Sequence, residues 1–252
     1  MSRLSDLSAK APKDVDKKEA KERTEDLLNE ISDLQNLLYA EGKHAILIVL
    51  QGMDASGKDG LIRKVFSRMN PQGVRVQSFK VPTEEEAAHD FLWRIHQHTP
   101  AKGMIQIFNR SHYEDVLVTR VHGWCDDKTA KKRFDAINAF EELLTVHNNT
   151  EILKFYLHTS AEEQQDRLRE RLEDPAKHWK YNPKDEQEAA LRDKYLAMYE
   201  DVFEKCNAVP WTILPSDQNW YKEHLVAKQL VDVLKGLHMK FPEMQGQPKE
   251  AE

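Results

Sequence analysis

Gly52-Met53-Asp54-Ala55-Ser56-Gly57-Lys58-Asp59 follows directly on the apolar run Ala45-Ile46-Leu47-Ile48-Val49-Leu50. A glycine, four residues and then Gly-Lys is the spacing of a phosphate-binding loop, whose backbone N–H groups turn inward on phosphate oxygens while the lysine reaches past them. The setting supports the pattern. The apolar run reads as a buried parallel strand, and Leu61, Ile62, Val65, Phe66 and Met69 behind the loop fall on one helical face. Strand, loop and helix N-terminus together make an anion site, with Gly52, Ala55, Ser56, Gly57, Lys58 and Asp59 as its candidate phosphate-binding residues.

Two positions depart from the ordinary motif. Position 59 is aspartate where such loops carry the Ser or Thr that holds Mg²⁺, and Asp54 puts a carboxylate inside the loop. A carboxylate among phosphates is repelled unless a cation intervenes, so Asp54 is the candidate metal residue; the plainer reading is an aspartate that stiffens the turn through its own backbone.

Working outward, the 252-residue chain is 40% hydrophobic, enough for one α/β domain with a core. It has no apolar run of transmembrane length, which argues against a membrane partner, and no secretory h-region. Cys125 and Cys206 form no close pair, which with the missing leader predicts a reducing, cytoplasmic location. A net charge of −6 argues against a nucleic-acid partner but leaves room for a local cationic groove.

Residues 1–26 read as a charged, solvated arm, and Leu27, Ile31, Leu34 and Leu38 predict an amphipathic helix over 25–40. Strands are expected near 44–51, 74–79, 104–108, 152–157 and 211–214, with helices between them. Thr83 and Glu86 form a capping box for a helix burying Ala87, Ala88, Phe91, Leu92 and Ile95. Other helices are expected near 128–147, from Ser160 to the Asp174-Pro175 break, around Leu191–Val202, and over 219–240. Residues past 241 read as a tail. Five strands interleaved with helices imply a three-layer α/β fold with a five-stranded parallel sheet.

The third strand ends in Asn109-Arg110-Ser111-His112-Tyr113-Glu114-Asp115. Chemistry gathers at the carboxyl ends of parallel strands, yet Asn109 stands where a Walker B aspartate is usual. Arg110 reads as a phosphate clamp rather than a surface ion pair, and Glu114 as either a functional carboxylate or the partner of Ser111 in a capping box. Arg167 and Arg171, four apart on one helix, open a basic excursion over about 165–190 that would serve as a lid; the alternative is an ordinary charged helix pair. Arg63, Lys64, Arg68 and Lys80 add cations near the loop, an array suited to a ligand with more phosphates than ATP carries.

These stretches together, with Lys80-Val-Pro-Thr-Glu-Glu, Arg120-Val-His-Gly123 and Lys177-His-Trp-Lys-Tyr…Pro-Lys-Asp185, resemble the polyphosphate kinase 2 family over about residues 40–237. The resemblance implies a thymidylate-kinase-like P-loop fold with a helical lid. It implies reversible, Mg²⁺-dependent (or Mn²⁺-dependent) transfer of the terminal phosphoryl group of inorganic polyphosphate to a nucleotide. Asp54, Lys58, Arg110, Arg167 and Arg171 would be catalytic, and Asn109, Arg110, Glu114, Asp115, Arg120 and Asp185 would meet the nucleotide. Asn109 together with Glu114 resembles the subclass that accepts both AMP and ADP, with guanine nucleotides as further candidates and a homo-oligomer, dimer or tetramer, as the expected assembly. Two rival readings stay open: an ATP-dependent small-molecule or nucleoside monophosphate kinase, and a non-catalytic nucleotide-binding module.

Overall fold

Seven successive residues with no access to water, Ala45–Gln51, form β1, and they are buried because strands pair on both edges and helices cover both faces. The computed structural model describes residues 3–243. The chain runs α1 (Lys17–Glu41), β1, α2 (Lys58–Val65), β2 (Val74–Ser78), then the single turns α3 (Glu84–Ala87) and α4 (Trp93–His96). It continues with β3 (Ile105–Asn109), α5 (Val118–Val121), α6 (Asp127–Asn148), β4 (Thr150–His158) and α7 (Ala161–Glu173). Last come α8 (Asp185–Ala190), α9 (Arg192–Lys205), β5 (Trp211–Pro215) and α10 (Asn219–Gly236).

All five strands are parallel, in the order β2-β3-β1-β4-β5. Side chains alternate across the sheet. Leu47 and Val49 of β1 join Phe134, Ile137 and Phe140 of α6 and Val202 and Phe203 of α9 on one face. Ile46, Ile48 and Leu50 join Leu28, Ile31 and Leu38 of α1, Leu61 and Val65 of α2 and Val226 and Leu230 of α10 on the other. Three layers result, and the carboxyl ends Gln51, Asn109 and His158 meet at one rim, with β1 at the centre where the strand order reverses. That rim is where an open parallel sheet places its ligand crevice.

Three expectations need correction. First, α1 begins at Lys17, capped by Asp16 accepting from the Glu19 N–H, and not at residue 25. The segment before it is docked rather than solvated: Leu4 is fully buried, its N–H donates to Glu200 Oε1 (2.7 Å), and the Asp217 N–H donates to the Ala9 carbonyl (3.0 Å). Leu4, Leu7 and Ala9 supply apolar anchors that the surrounding charge concealed; residues 1–2 lie outside the described residues. Second, the capping box at Thr83 and Glu86 forms, but its helix lasts one turn. Asp90 Oδ1 takes the Leu92 N–H (2.9 Å), an Asx turn that competes with the helix, and Ala87 and Ala88 stay exposed. Third, α10 ends at Gly236, four residues early. Most of the expected tail, residues 244–252, lies outside the described residues.

Candidate active site

The loop after β1 bends through two left-handed residues, Ala55 (φ 61°) and Gly57 (φ 94°). A side chain on Gly57 would collide with the Lys222 ammonium and the Arg167 guanidinium, so both backbone freedom and close approach require glycine there. The loop carbonyls are held by three cations, the half-buried Arg167 and the buried Lys58 and Lys222. Arg167 Nη1 donates to the carbonyls of Ala55 (3.1 Å) and Ser56 (2.9 Å), while its Nη2 donates to Ser216 (2.8 Å) and Asp217 (3.0 Å). Lys222 Nζ donates to the Ser56 carbonyl (3.1 Å). Lys58 Nζ donates to the carbonyls of Gly52 (2.7 Å) and Met53 (3.1 Å), and burial pushes its ammonium down to about 8.

At the end of β3, Arg110 takes the left-handed conformation (φ 63°). Its Nη2 donates to Asp54 Oδ1 and its Nη1 to Glu114 Oε2 (3.0 Å), and Glu114, more than any other neighbour, raises the already high guanidinium value further. The capping-box reading of Glu114 therefore fails: Ser111 accepts from the Tyr113 N–H (3.2 Å), and the Glu114 carboxylate faces the site. Tyr113 anchors this turn from beneath. Its hydroxyl donates to Glu141 Oε1 (2.6 Å), and Lys154 Nζ donates to Tyr113 Oη (2.8 Å) and Glu141 Oε2 (2.8 Å), all without solvent access.

The two motif departures face each other. Asn109 Nδ2 donates to Asp59 Oδ1 (2.9 Å), and Lys180, from the excursion after α7, donates to Asp59 Oδ2 (3.1 Å). Although burial pushes the Asp59 carboxyl up, hydrogen bonds from Lys180 and Asn109 hold it below the usual range. Arg171 Nη1 donates to Asp185 Oδ2 (2.6 Å), tying α7 to α8, and burial raises the Asp185 carboxyl against that pull.

Arg110 and Asp54 divide two spaces. One is an open groove of about 620 Å³ lined by the loop with Lys80, Asn109, Arg171, Lys177 and Lys180. The other is a closed pocket of about 20 Å³ bounded by Glu114, Leu117, Glu188 and Tyr195. Its polar wall is mutually bonded, with the Tyr195 hydroxyl donating to Glu188 Oε2 (2.7 Å) and His122 at 3.1 Å from Glu188 Oε1.

Several cations expected around the phosphates stand elsewhere. Lys64 pairs with Glu25 of α1 (2.6 Å), and Arg68 donates to Glu25 and to Asn29 Oδ1 (2.8 Å). A helix rises 1.5 Å per residue, so Lys64 lies ~9 Å along the axis from Lys58, and Arg68 follows past the end of α2, away from the loop. Arg63 is exposed on α2 and does not line the groove. Arg120 Nη2 pairs with Asp127 (2.9 Å) and Asp201 (2.8 Å), bracing α5 against α6 and α9. Asp115 faces Arg94 (3.7 Å), and burial raises its carboxyl. Neither Arg120 nor Asp115 lines either space. Arg167 does border the groove, while its guanidinium bonds the carbonyls of Ala55 and Ser56.

The profile of the Polyphosphate kinase 2 (PPK2) family matches residues 14–242. The chain belongs to the polyphosphate kinase 2 family. It is accordingly a phosphotransferase, on the three-layer P-loop kinase fold expected from the sequence. It is 50% identical over 215 residues to the AMP/ADP-polyphosphate phosphotransferase of Meiothermus ruber, covering 84% of this chain and 80% of that one. It is 39% identical over 243 residues to the ADP-polyphosphate phosphotransferase of Rhodopseudomonas palustris, covering 89% and 84%. The crystal structure of polyphosphate kinase 2 from Arthrobacter aurescens superposes with a TM-score of 0.94 at 40% identity, over 98% of this chain and 90% of that one. No helix among the described residues is long and apolar enough to cross a membrane.

Within this family site, sequence reasoning missed Gln164, Arg192, Glu188, Tyr195 and Lys222. Gln164 Nε2 donates to the Asp54 carbonyl (3.1 Å), and Arg192 Nη1 donates to Gln164 Oε1 (2.7 Å). One signal for Lys222 existed: it continues the buried stripe Val226, Leu230, Leu234 one turn toward the N-terminus, an apolar position held by a charge.

Proposed function

We propose that this enzyme transfers the terminal phosphoryl group of inorganic polyphosphate to ADP and to AMP, reversibly and with Mg²⁺. The observation that carries the reading is the two-sided arrangement about Asp54 and Arg110. An open groove with six cationic side chains beyond Arg110 suits a long polyanion, and a small pocket walled by Glu114, Glu188 and Tyr195 suits the acceptor nucleotide. The name of the Meiothermus ruber relative supports both acceptors.

The donor set suits Mg²⁺. Asp54 is the carboxylate facing both spaces, and among the described residues no group of three His, Cys, Asp or Glu could hold a metal alone. One carboxylate with substrate phosphates and water is how Mg²⁺ is commonly bound. Asp54 would hold it, and the bound ion neutralises phosphate charge during transfer. The chain's own residues supply the rest. Loop N–H groups and Lys58 fix the donor, and Arg110 spreads the charge of the transferred group in a site where such charge is worth more than in water. The attacking nucleotide phosphate is already an oxyanion, so no strong general base is required.

A pocket of about 20 Å³ admits little more than a water, so nucleotide entry requires α8, which carries Glu188, to swing away from α9. Residues 165–190 would then act as the lid. The test supplies purified enzyme with polyphosphate as sole donor and ADP, AMP or GDP as acceptor, reading nucleotide products. ATP from ADP, and ADP then ATP from AMP, is the expected result. No product from polyphosphate, with turnover from ATP, would instead make the enzyme an ATP-dependent kinase. Asp54→Asn is expected to lose Mg²⁺-dependent turnover; full activity in that variant would remove Asp54 from the metal.

A further inference from the structure

Beneath the loop lies a cation that the proposed chemistry does not use. Lys222, in the first turns of α10, has no solvent access, and among the described residues no carboxylate comes within ion-pair distance of it. Its acceptors are the carbonyls of Ser56 (3.1 Å) and, more weakly, Ser216 (3.5 Å), both of which also accept from Arg167. Of the two acids whose charge it feels, Glu223 makes no ion pair with it and Glu163 is spent on Arg167 Nε (2.8 Å).

A buried charge without a counter-ion is costly, and methionine would fill such a position more cheaply. Burial first, and the Arg167 guanidinium second, push the Lys222 ammonium down to about 7. Yet its Nζ occupies the space a Gly57 side chain would need, one residue before Lys58 and directly behind the wall of the groove. What this ammonium lacks is an anion, and the groove on the far side of Gly57 is where the anion binds.

We propose that Lys222 is a second lysine of the phosphate-binding loop, a positioning residue that holds the Ser56 carbonyl from behind and supplies positive charge through the loop to the polyphosphate donor. This rests on the reading of the groove as the polyphosphate site. The loop's N–H groups converge on phosphate because their carbonyls are tethered below, and Lys222 provides one tether together with a charge that the protein leaves uncompensated. Bound polyphosphate completes the pair.

The test is Lys222→Met in the full chain, with Lys222→Gln as a second variant that keeps a donor and removes the charge. The expected result is a polyphosphate KM raised about tenfold, or ~1.4 kcal/mol. The KM for ADP stays unchanged and kcat stays within about threefold. Melting temperature stays level or rises, because removing an uncompensated buried charge does not destabilise. Two results overturn the proposal: an unchanged polyphosphate KM in both variants, or a lower melting temperature with both KM values rising together, which would mark Lys222 as structural. Failure of the underlying reading looks different, since wild-type enzyme would then make no product from polyphosphate.

Discussion

Replacing Asn109 with aspartate tests whether the two departures from the ordinary loop compensate each other. In the usual arrangement a loop hydroxyl faces a Walker B carboxylate; here the carboxylate is Asp59 and the donor is Asn109, 2.9 Å apart. Asn109→Asp leaves two carboxylates at that distance. Their repulsion is ~1.4 kcal/mol in bulk water and about four times larger at an effective dielectric of 20. The Asp59 side chain is 59% exposed and keeps Lys180, so the lower figure applies, and the lost hydrogen bond brings the total to ~2 kcal/mol. At about 2–4 °C per kcal/mol for a chain of this size, melting should fall by ~4–8 °C. The assay is thermal unfolding in EDTA at low salt and pH 8, since salt screens the effect and a metal would bridge the pair. One carboxyl of the pair is raised in the folded state, so folding takes up protons; the deficit is full above that raised value, shrinks as pH falls through it, and is gone below the unfolded carboxyl value. Adding Asp59→Ser should restore the melting temperature. An Asn109→Asp protein that melts with wild type in EDTA, or a double variant no better than the single one, would refute the exchange.

Lys58→Ala and Arg110→Ala should each lower turnover by about 10³-fold with melting within a few degrees of wild type, because both groups act on transferred charge; near-normal rates would contradict their roles. The KM for polyphosphate should climb from about pH 7 upward, as first Lys222 and then, near 8, Lys58 lose their protons, and a flat profile from pH 7 to 9 would count against both. Stability should move the other way. Lys222 is held at about 7, below its ordinary 10.5, so between those values the unfolded chain binds more protons and stability rises with pH; Lys222→Met should flatten that rise in a melting series. Lys154→Ala should cost ~3–5 kcal/mol in thermal unfolding by stranding Glu141, and a Lys154→Met, Glu141→Leu double variant should recover most of it.

The loop, its strand and the parallel sheet were legible because each rests on local pattern: an unbroken apolar run, a glycine spacing, and helices with a buried face. Arg110 and Glu114 were legible as a constellation, since five successive residues carry both. The 83–99 helix was misread because Asp90 competes for backbone donors at short range, a choice that apolar spacing does not register. The docking of residues 4–11 was hidden by their neighbours' charge, although three small apolar anchors suffice to hold the segment.

The cations show why the rest of the site was less legible. Counting lysines and arginines near the loop in sequence treats each as a phosphate ligand, but the fold sorts them by which end of an element they occupy. Lys64 in the last turn of α2 and Arg68 just past its end neutralise Glu25 of α1, whereas Lys177 and Lys180, over a hundred residues further on, line the groove. Arg167 and Lys222 form a third group that binds the loop's carbonyls; Arg167 also borders the groove, whereas Lys222 reaches the substrate through the backbone's shape and its potential. Chain proximity carries no information about that third group. A charge on an apolar stripe does, as Lys222 on the Val226, Leu230, Leu234 stripe, Lys154 within a buried strand and Glu141 between Ile137 and Leu144 of α6 show beneath this site.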